Sequence, residues 1–74
     1  MILKTTMSDR VKNFVYSLRN QLEVTQEELA EAVGVTRQTV IAIEKGNYTP
    51  SVMLAIKLAK FFKKPVEEVF QIIK

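Results

Sequence analysis

The sequence predicts a compact all-α domain of five short helices. Its 74 residues are enough for one small domain with a single core. Apolar residues recur three and four positions apart along most of the chain, which places them on one face of a helix. Turn-forming residues interrupt this pattern at Gly34, Gly46, Pro50 and Pro65. We therefore expect one domain over residues 1–74, with short extended termini as an alternative at its two ends.

The first helix is expected to follow an N-terminal extension, residues 1–7. Ser8 suits its N-cap, because a serine hydroxyl can accept a hydrogen bond from a free backbone N–H group. The stripe that should face the core consists of Val11, Val15, Leu18 and Leu22. Phe14 lies beside this stripe, either extending the core or on the surface, while Asn13 and Tyr16 are expected in solvent.

Two helices joined by a glycine turn are predicted over residues 25–46. Thr25 caps the first of them, because Glu28 completes a capping box ahead of apolar residues at helical spacing. Gly34 follows the last apolar residue, where a sharp turn favours a positive φ. Thr36 then caps the second helix, whose apolar face is Val40 and Ile43.

Two more helices are expected after Gly46. Pro50 stops the preceding helix, and Ser51 caps the fourth one. Pro65 suits the first position of the fifth helix, where its missing N–H group costs nothing. Residues 71–74 either continue that helix or form an extended tail.

The first turn of the helix after Thr36 carries polar side chains that no core requires. Arg37 and Gln38 are of the types that form two hydrogen bonds with a guanine or adenine edge, and Thr39 can bond a phosphate. The first turn of a recognition helix is also the part that enters the major groove of DNA. This pattern favours a DNA-binding function.

The stretch QEELAEAVGVTRQTVIAIEKG resembles the helix-turn-helix of the phage-repressor and Cro type, the xenobiotic-response-element family. The similarity extends over residues 15–70. It implies a five-helix, lambda-repressor-like fold and a sequence-specific transcriptional regulator of double-stranded DNA, in the first place a repressor. Glu23 departs from the family pattern, which commonly has Gly there. A left-handed backbone at Glu23 would be strained by roughly 1 kcal/mol.

The resemblance also assigns roles to individual residues. Base reading is expected of Arg37, Gln38, Thr39, Ile41 and Ala42. For Ile41, packing against a neighbouring helix is an equal alternative to contact with a thymine methyl group. Phosphate contacts are expected of Gln26, Thr36, Lys45, Asn47 and Tyr48, with simple solvation as the alternative. Arg19 and Glu44 are expected to form an internal ion pair that holds the recognition helix against the first helix.

A symmetric homodimer is predicted because several apolar residues lie outside the positions expected to face the core. These residues are Phe61, Phe70, Ile72 and Ile73, and exposed apolar clusters usually mark an interface. The apolar residues Met1 to Leu3 form a further candidate, as a short strand pairing with residues 71–74. Two copies would read a two-fold symmetric operator with recognition helices roughly 34 Å apart. The alternative is a monomer with frayed termini.

Composition excludes several kinds of site. The chain has no Cys and no His, which rules out disulfides, zinc fingers and cysteine or histidine catalysis. We therefore expect no metal, no cofactor and, without a nucleophile and base, no enzyme activity. The net charge of +3 is compatible with nucleic acid but also with an ordinary soluble protein.

Two expectations concern location and partners. No apolar run approaches the roughly 20 residues that span a bilayer, and no signal peptide is visible, so a cytoplasmic protein without membrane contact is expected. A protein-interaction adaptor, including an antitoxin that binds a partner protein, remains an alternative to a regulator that binds DNA alone.

Overall fold

The computed structural model describes residues 10–73, which form five helices flanked by two short strands. In chain order the elements are β1 (Arg10–Asn13), α1 (Val15–Gln21), α2 (Gln26–Val33), α3 (Arg37–Glu44), α4 (Val52–Phe62), α5 (Val66–Val69) and β2 (Phe70–Ile73). The expected five-helix architecture with short extended ends is confirmed.

The two strands form an antiparallel ribbon that joins the ends of the described chain. Arg10 pairs with Ile73 and Asn13 with Phe70. The N–H group of Phe14 extends the ladder by donating to the Val69 carbonyl oxygen at 2.9 Å. The apolar tip at residues 1–3, predicted to pair with the C-terminus, lies outside the described residues.

The predicted start of the first helix is wrong. Arg10–Asn13 is extended, and the helix begins at Val15. Pairing with β2 satisfies the backbone groups of this segment, and the Asn13 side-chain oxygen accepts from the Val15 N–H group at 3.1 Å. The Asn13 side chain therefore accepts a hydrogen bond at the start of α1, as the Ser8 side chain was expected to do at the predicted start. Ser8 itself lies outside the described residues. Asn13 is also half-buried rather than in solvent, whereas Tyr16 is exposed as expected.

The hydrophobic core lies between the helices. Its buried side chains are Val15, Leu18, Leu29, Ala30, Val33, Val40, Ile43, Leu54, Leu58, Ala59, Phe62 and Val69. Phe14 packs against this cluster, so it extends the core. Leu22 and Val11 are exposed instead of buried. The predicted stripe fails at these two positions because Val11 is on β1 and Leu22 is already past the end of α1.

The helix-turn-helix forms where it was predicted. In the capping box at the start of α2, the Glu28 N–H group donates to the Thr25 hydroxyl at 3.0 Å, and the Thr25 N–H group donates to the Glu28 carboxylate at 2.8 Å. Gly34 has a φ of 77° and ends α2. The Thr36 hydroxyl accepts from the Thr39 N–H group and caps α3. These local bonds set the angle at which α3 leaves α2.

Within residues 10–73, two residues other than glycine adopt a left-handed backbone. Glu23 and Lys63 both have a φ of 57°. At each, the next N–H group reaches back to the preceding helix, from Val24 to the Arg19 carbonyl oxygen and from Lys64 to that of Ala59. The turn at Glu23 is thus left-handed, in the backbone region that favours Gly, at a cost of roughly 1 kcal/mol.

The longest helix in the described part of the chain is α4. The Ser51 hydroxyl caps α4 by accepting from the Leu54 N–H group at 3.1 Å. Pro65 precedes α5 as an extended residue instead of occupying its first position, so that prediction is off by one residue. Within residues 10–73, no helix combines the length and the apolar character that a membrane crossing would need.

Candidate nucleic-acid interface

The first turn of α3 presents the predicted base readers to solvent. Arg37 and Gln38 are exposed. Thr39 is half-buried, and its hydroxyl lies 3.2 Å from that of Thr36. On the opposite face, Val40 and Ile43 are buried in the core. This polarity fixes the orientation of the helix, with its N-terminal polar residues outward.

Ile41 and Ala42 are half-buried along the same helix. They are therefore partly available to a ligand and partly covered by the protein. Their apolar side chains offer contact with a thymine methyl group and no hydrogen bond.

Arg37 is held by two residues of α2. Its Nε atom donates to the Gln26 side-chain oxygen at 3.3 Å, and it lies 3.5 Å from the Glu27 carboxylate. The Arg37 side chain is nevertheless 53% exposed. The start of α2 therefore orients Arg37 without burying it.

Gln26 connects Arg37 to the interior of the protein. While its oxygen accepts from Arg37, its amide nitrogen donates to the Glu44 carboxylate at 3.0 Å. Gln26 is half-buried, so the structure places it in a chain of side-chain contacts in addition to its place at the N-terminus of α2. Sequence reasoning missed this link and the contact with Glu27, because both depend on how two helices pack.

Arg19 and Glu44 form a nearly buried ion pair. Arg19 donates to the two carboxylate oxygens of Glu44 at 2.7 and 3.1 Å, and to the Val24 carbonyl oxygen at 3.0 Å. The side chains are only 10% and 6% exposed. The hydrogen bond with Glu44 raises the pKa of Arg19 above its usual value, against the opposing effect of burial. Arg19 thus stays charged and joins α1 to the end of α3.

The loop after α3 holds the other residues expected to contact phosphate. Lys45, Asn47 and Tyr48 are all exposed. Gly46 has a φ of 81°, and the N–H group of Asn47 donates to the Ala42 carbonyl oxygen at 2.9 Å. The loop is therefore tied to the last turn of the recognition helix, and its polar side chains face solvent.

A groove beside this loop is lined by basic residues, two of which, Arg10 and Lys12, were not among the predicted site residues. Its lining also includes Lys45, and Glu44, whose carboxylate is paired with Arg19. Lys12 also lies over the Phe14 ring, with Nζ 5.1 Å from its centroid. The alternation of charged and other residues over Arg10–Asn13 has the period of a strand, and it could have indicated that this segment is extended.

The residues predicted to form a dimer interface differ in exposure. Phe61 and Phe70 are half-buried against the core, and Phe61 makes an edge-to-face contact with Phe62 at 5.3 Å between ring centroids. Ile73 is half-buried. Ile72 is 74% exposed.

A second exposed apolar surface was missed by the sequence analysis. It consists of Val52, Met53 and Ile56 on α4, and we call it the α4 surface. Val52 is 77% exposed, Met53 67% and Ile56 43%. Val52 and Ile56 are one helical turn apart and off the face that carries Leu54 and Leu58, a spacing that could have revealed the surface from the sequence. In the described part of the chain, no group of carboxylates is placed to hold a metal ion.

The chain is similar to known proteins over most of its length. The Helix-turn-helix family model matches residues 15–69. The chain is 55% identical over 60 residues to the uncharacterized HTH-type transcriptional regulator YgzD of Bacillus subtilis (strain 168), covering 81% of this chain and 91% of YgzD. It is 39% identical over 54 residues to the cryptic phage CTXphi transcriptional repressor RstR of Vibrio cholerae, covering 73% of this chain and 49% of RstR.

A solved structure agrees with the fold. The restriction-modification controller protein C.AhdI from Aeromonas hydrophila superposes with a TM-score of 0.68 at 30% sequence identity. The superposition covers 73% of this chain and 82% of that protein.

Proposed function

The chain belongs to the helix-turn-helix family of transcriptional regulators, of the phage-repressor and Cro type, and we propose that it is a sequence-specific repressor that reads the major groove of double-stranded DNA with α3. The family consists of DNA-binding regulators rather than enzymes. The observation that carries the proposal is the exposure of Arg37 and Gln38 on the first turn of a helix whose other face is buried.

Base readout is proposed for the exposed end of α3. Arg37 suits guanine, because its guanidinium can donate to both acceptors on the guanine edge, and Gln38 suits adenine by the same two-bond geometry. Thr39, Ile41 and Ala42 are proposed to add shorter contacts, including contact with a thymine methyl group. Arg37 is favoured as the principal reader, since α2 already orients it before DNA arrives.

Phosphate contacts are proposed on both sides of α3. Gln26 and Thr36 are at helix N-termini, where free N–H groups and the helix dipole favour an anion. Lys45, Asn47 and Tyr48 occupy the exposed loop at the other end of the helix. These contacts would fix the position of α3 in the groove without reading the sequence.

Repression is the proposed outcome of binding. The relative RstR is named as a transcriptional repressor, which supports this direction by similarity. A protein that occupies an operator can block transcription simply by excluding the polymerase. Repression by occlusion therefore needs no contacts beyond those proposed with the DNA.

A homodimer is proposed as the form that binds DNA. One α3 reads only a few base pairs, whereas a two-fold dimer reads two half-sites roughly 34 Å apart. Two apolar surfaces are available to a second copy, the α4 surface and the predicted C-terminal set of Phe61, Phe70, Ile72 and Ile73. The α4 surface is favoured, since Phe61 and Phe70 already pack against their own core.

The experiment that tests the proposed function is a selection of bound sequences from random duplex DNA. We expect a defined motif made of two inverted half-sites whose centres are about one helical turn apart. Recovery of no enriched motif, with binding that is uniform across sequences, would contradict sequence-specific readout. A reporter gene placed behind the selected site then distinguishes repression from activation.

A further inference from the structure

We propose that Glu27 is a specificity-determining residue that acts through Arg37. Glu27 would hold the guanidinium of Arg37 towards a base edge and make its exchange for a DNA phosphate unfavourable. The inference rests on the proposed function, in which Arg37 is a base reader, and it adds a residue that does not itself read bases.

The geometry supports this role because both contacts of Arg37 use the same atom. Nε donates to Gln26 at 3.3 Å and lies 3.5 Å from Glu27. Within residues 10–73, the terminal Nη1 and Nη2 atoms of Arg37 make no hydrogen bond, so both are available to donate to DNA. A guanine edge presents two acceptors at a spacing that fits two donors of one guanidinium. Arg37 can therefore keep its contacts with α2 while it binds a base.

The contacts of Arg37 are anchored in the protein interior. Gln26 donates to Glu44, whose side chain is 6% exposed and paired with Arg19. Glu27 follows Gln26 in the first turn of α2, a helix that the capping box begins at a fixed position. The partners of Arg37 are thus held in place before DNA binds, which limits the positions that its guanidinium adopts.

Electrostatics makes the arrangement selective. The Glu27 side chain is 66% exposed and close to the surface proposed to face DNA. If Arg37 turned to a phosphate, Glu27 would be left as an unpaired carboxylate near a polyanion. Arg37 is therefore favoured to stay beside Glu27, where its guanidinium gains a further contact only if a suitable base is within reach. Glu27 should therefore weaken binding to unrelated duplexes more than binding to the selected site.

The test compares Glu27→Gln with the unsubstituted protein on two duplexes, the selected site and a scrambled sequence. Glutamine keeps the side-chain size and removes the charge. We expect affinity for the scrambled duplex to rise about two- to fivefold, in keeping with the modest strength of an exposed ion pair, with less change for the selected site. An equal change on both duplexes would overturn the inference, because a purely structural role would leave their ratio unaltered.

The matched control is Glu31→Gln. Glu31 is exposed on the same helix, one turn further on, and within residues 10–73 it forms no ion pair. The same loss of charge there should shift both affinities by one common factor. If Glu31→Gln lowers the ratio of the affinity for the selected site to that for the scrambled duplex as much as Glu27→Gln does, the effect is one of general charge and the inference is overturned.

The Arg37→Ala background separates this inference from the proposed function. If Glu27 acts through Arg37, Glu27→Gln should leave the ratio of the two affinities unchanged once Arg37 is absent. If Arg37→Ala alters the selected motif but Glu27→Gln still changes the ratio equally in both backgrounds, the role of Glu27 is overturned and base reading by Arg37 stands. If Arg37→Ala leaves the motif unaltered, base reading by Arg37 fails, and this inference fails with it.

Discussion

Asn13 donates a hydrogen bond from its side-chain nitrogen to the Ile43 carbonyl oxygen, at 2.8 Å. The oxygen of the same side-chain amide accepts a hydrogen bond from the Val15 N–H group. One amide therefore joins β1, the start of α1 and the last turn of α3. The ribbon is in this way fastened to the helix that is proposed to read DNA.

Asn13→Ala should destabilise the protein by about 1–3 kcal/mol, because it removes two hydrogen bonds and leaves the Ile43 carbonyl oxygen without its side-chain partner. Chemical denaturation measures the change. Asn20→Ala is the control, since Asn20 is exposed on α1 and makes no side-chain hydrogen bond within residues 10–73. Equal destabilisation by the two substitutions would contradict the role given to Asn13.

Arg19→Ala should destabilise the fold by about 3–5 kcal/mol, because Glu44 would remain as a buried charge without its partner. The preferred DNA sequence should change little, since both side chains of the pair are nearly buried. Thermal melts and a repeated selection measure the two effects. An unchanged melt together with a shifted motif would show that the pair is not structural.

The sequence was most informative where structure is set locally. The capping box at Thr25 and the turn at Gly34 involve neighbours in the chain, and both were predicted. The β1–β2 pairing was not, because it joins the two ends of the described chain, and no local pattern identifies the partner of Arg10–Asn13. The left-handed turn at Lys63 was missed because a lysine gives no signal for it.

The candidate site divides in the same way. The exposure of Arg37 and Gln38 follows from the helical period, since Val40 and Ile43 must face the core. The side-chain contacts from Gln26 to Glu44 and to Arg37 could not be predicted, because they depend on the crossing of α2 and α3 to within an ångström.

Arg37→Ala and Gln38→Ala should each weaken binding to the selected site by about 1–3 kcal/mol and relax base preference at one definable position. Binding to scrambled DNA should change less, because these side chains are proposed to contact bases. Affinity measurements and a repeated selection test both effects. A residue whose substitution leaves the selected motif intact is not a base reader.

Lys45→Ala should weaken binding to all duplexes by similar factors, because a phosphate contact carries no sequence information. The slope of log affinity against log salt concentration should become shallower by about one unit. Lys60→Ala is the control, since Lys60 is exposed in the last turn of α4 and lines a different groove, together with Glu31 and Phe61. If Lys45→Ala leaves the slope unchanged, Lys45 makes no phosphate contact.

Charge substitutions on the two exposed apolar surfaces distinguish which of them forms the dimer interface. Ile56→Lys introduces a charge on the α4 surface, and Ile72→Lys introduces one on the ribbon. Both positions are exposed, so the folded monomer should tolerate either substitution. A lysine buried in an interface lacks a partner, and it should weaken self-association at least tenfold, or about 1.4 kcal/mol.

We expect Ile56→Lys to shift the monomer–dimer equilibrium and Ile72→Lys to leave it nearly unchanged, as measured by sedimentation at micromolar concentration. DNA affinity is an independent measurement. A variant that no longer dimerises should lose affinity for the two-half-site duplex much more than for a single half-site. The opposite order of effects would place the second copy on the ribbon, as the apolar C-terminus first indicated. A monomer at every concentration, with a selected motif that lacks two-fold symmetry, would contradict the dimer itself.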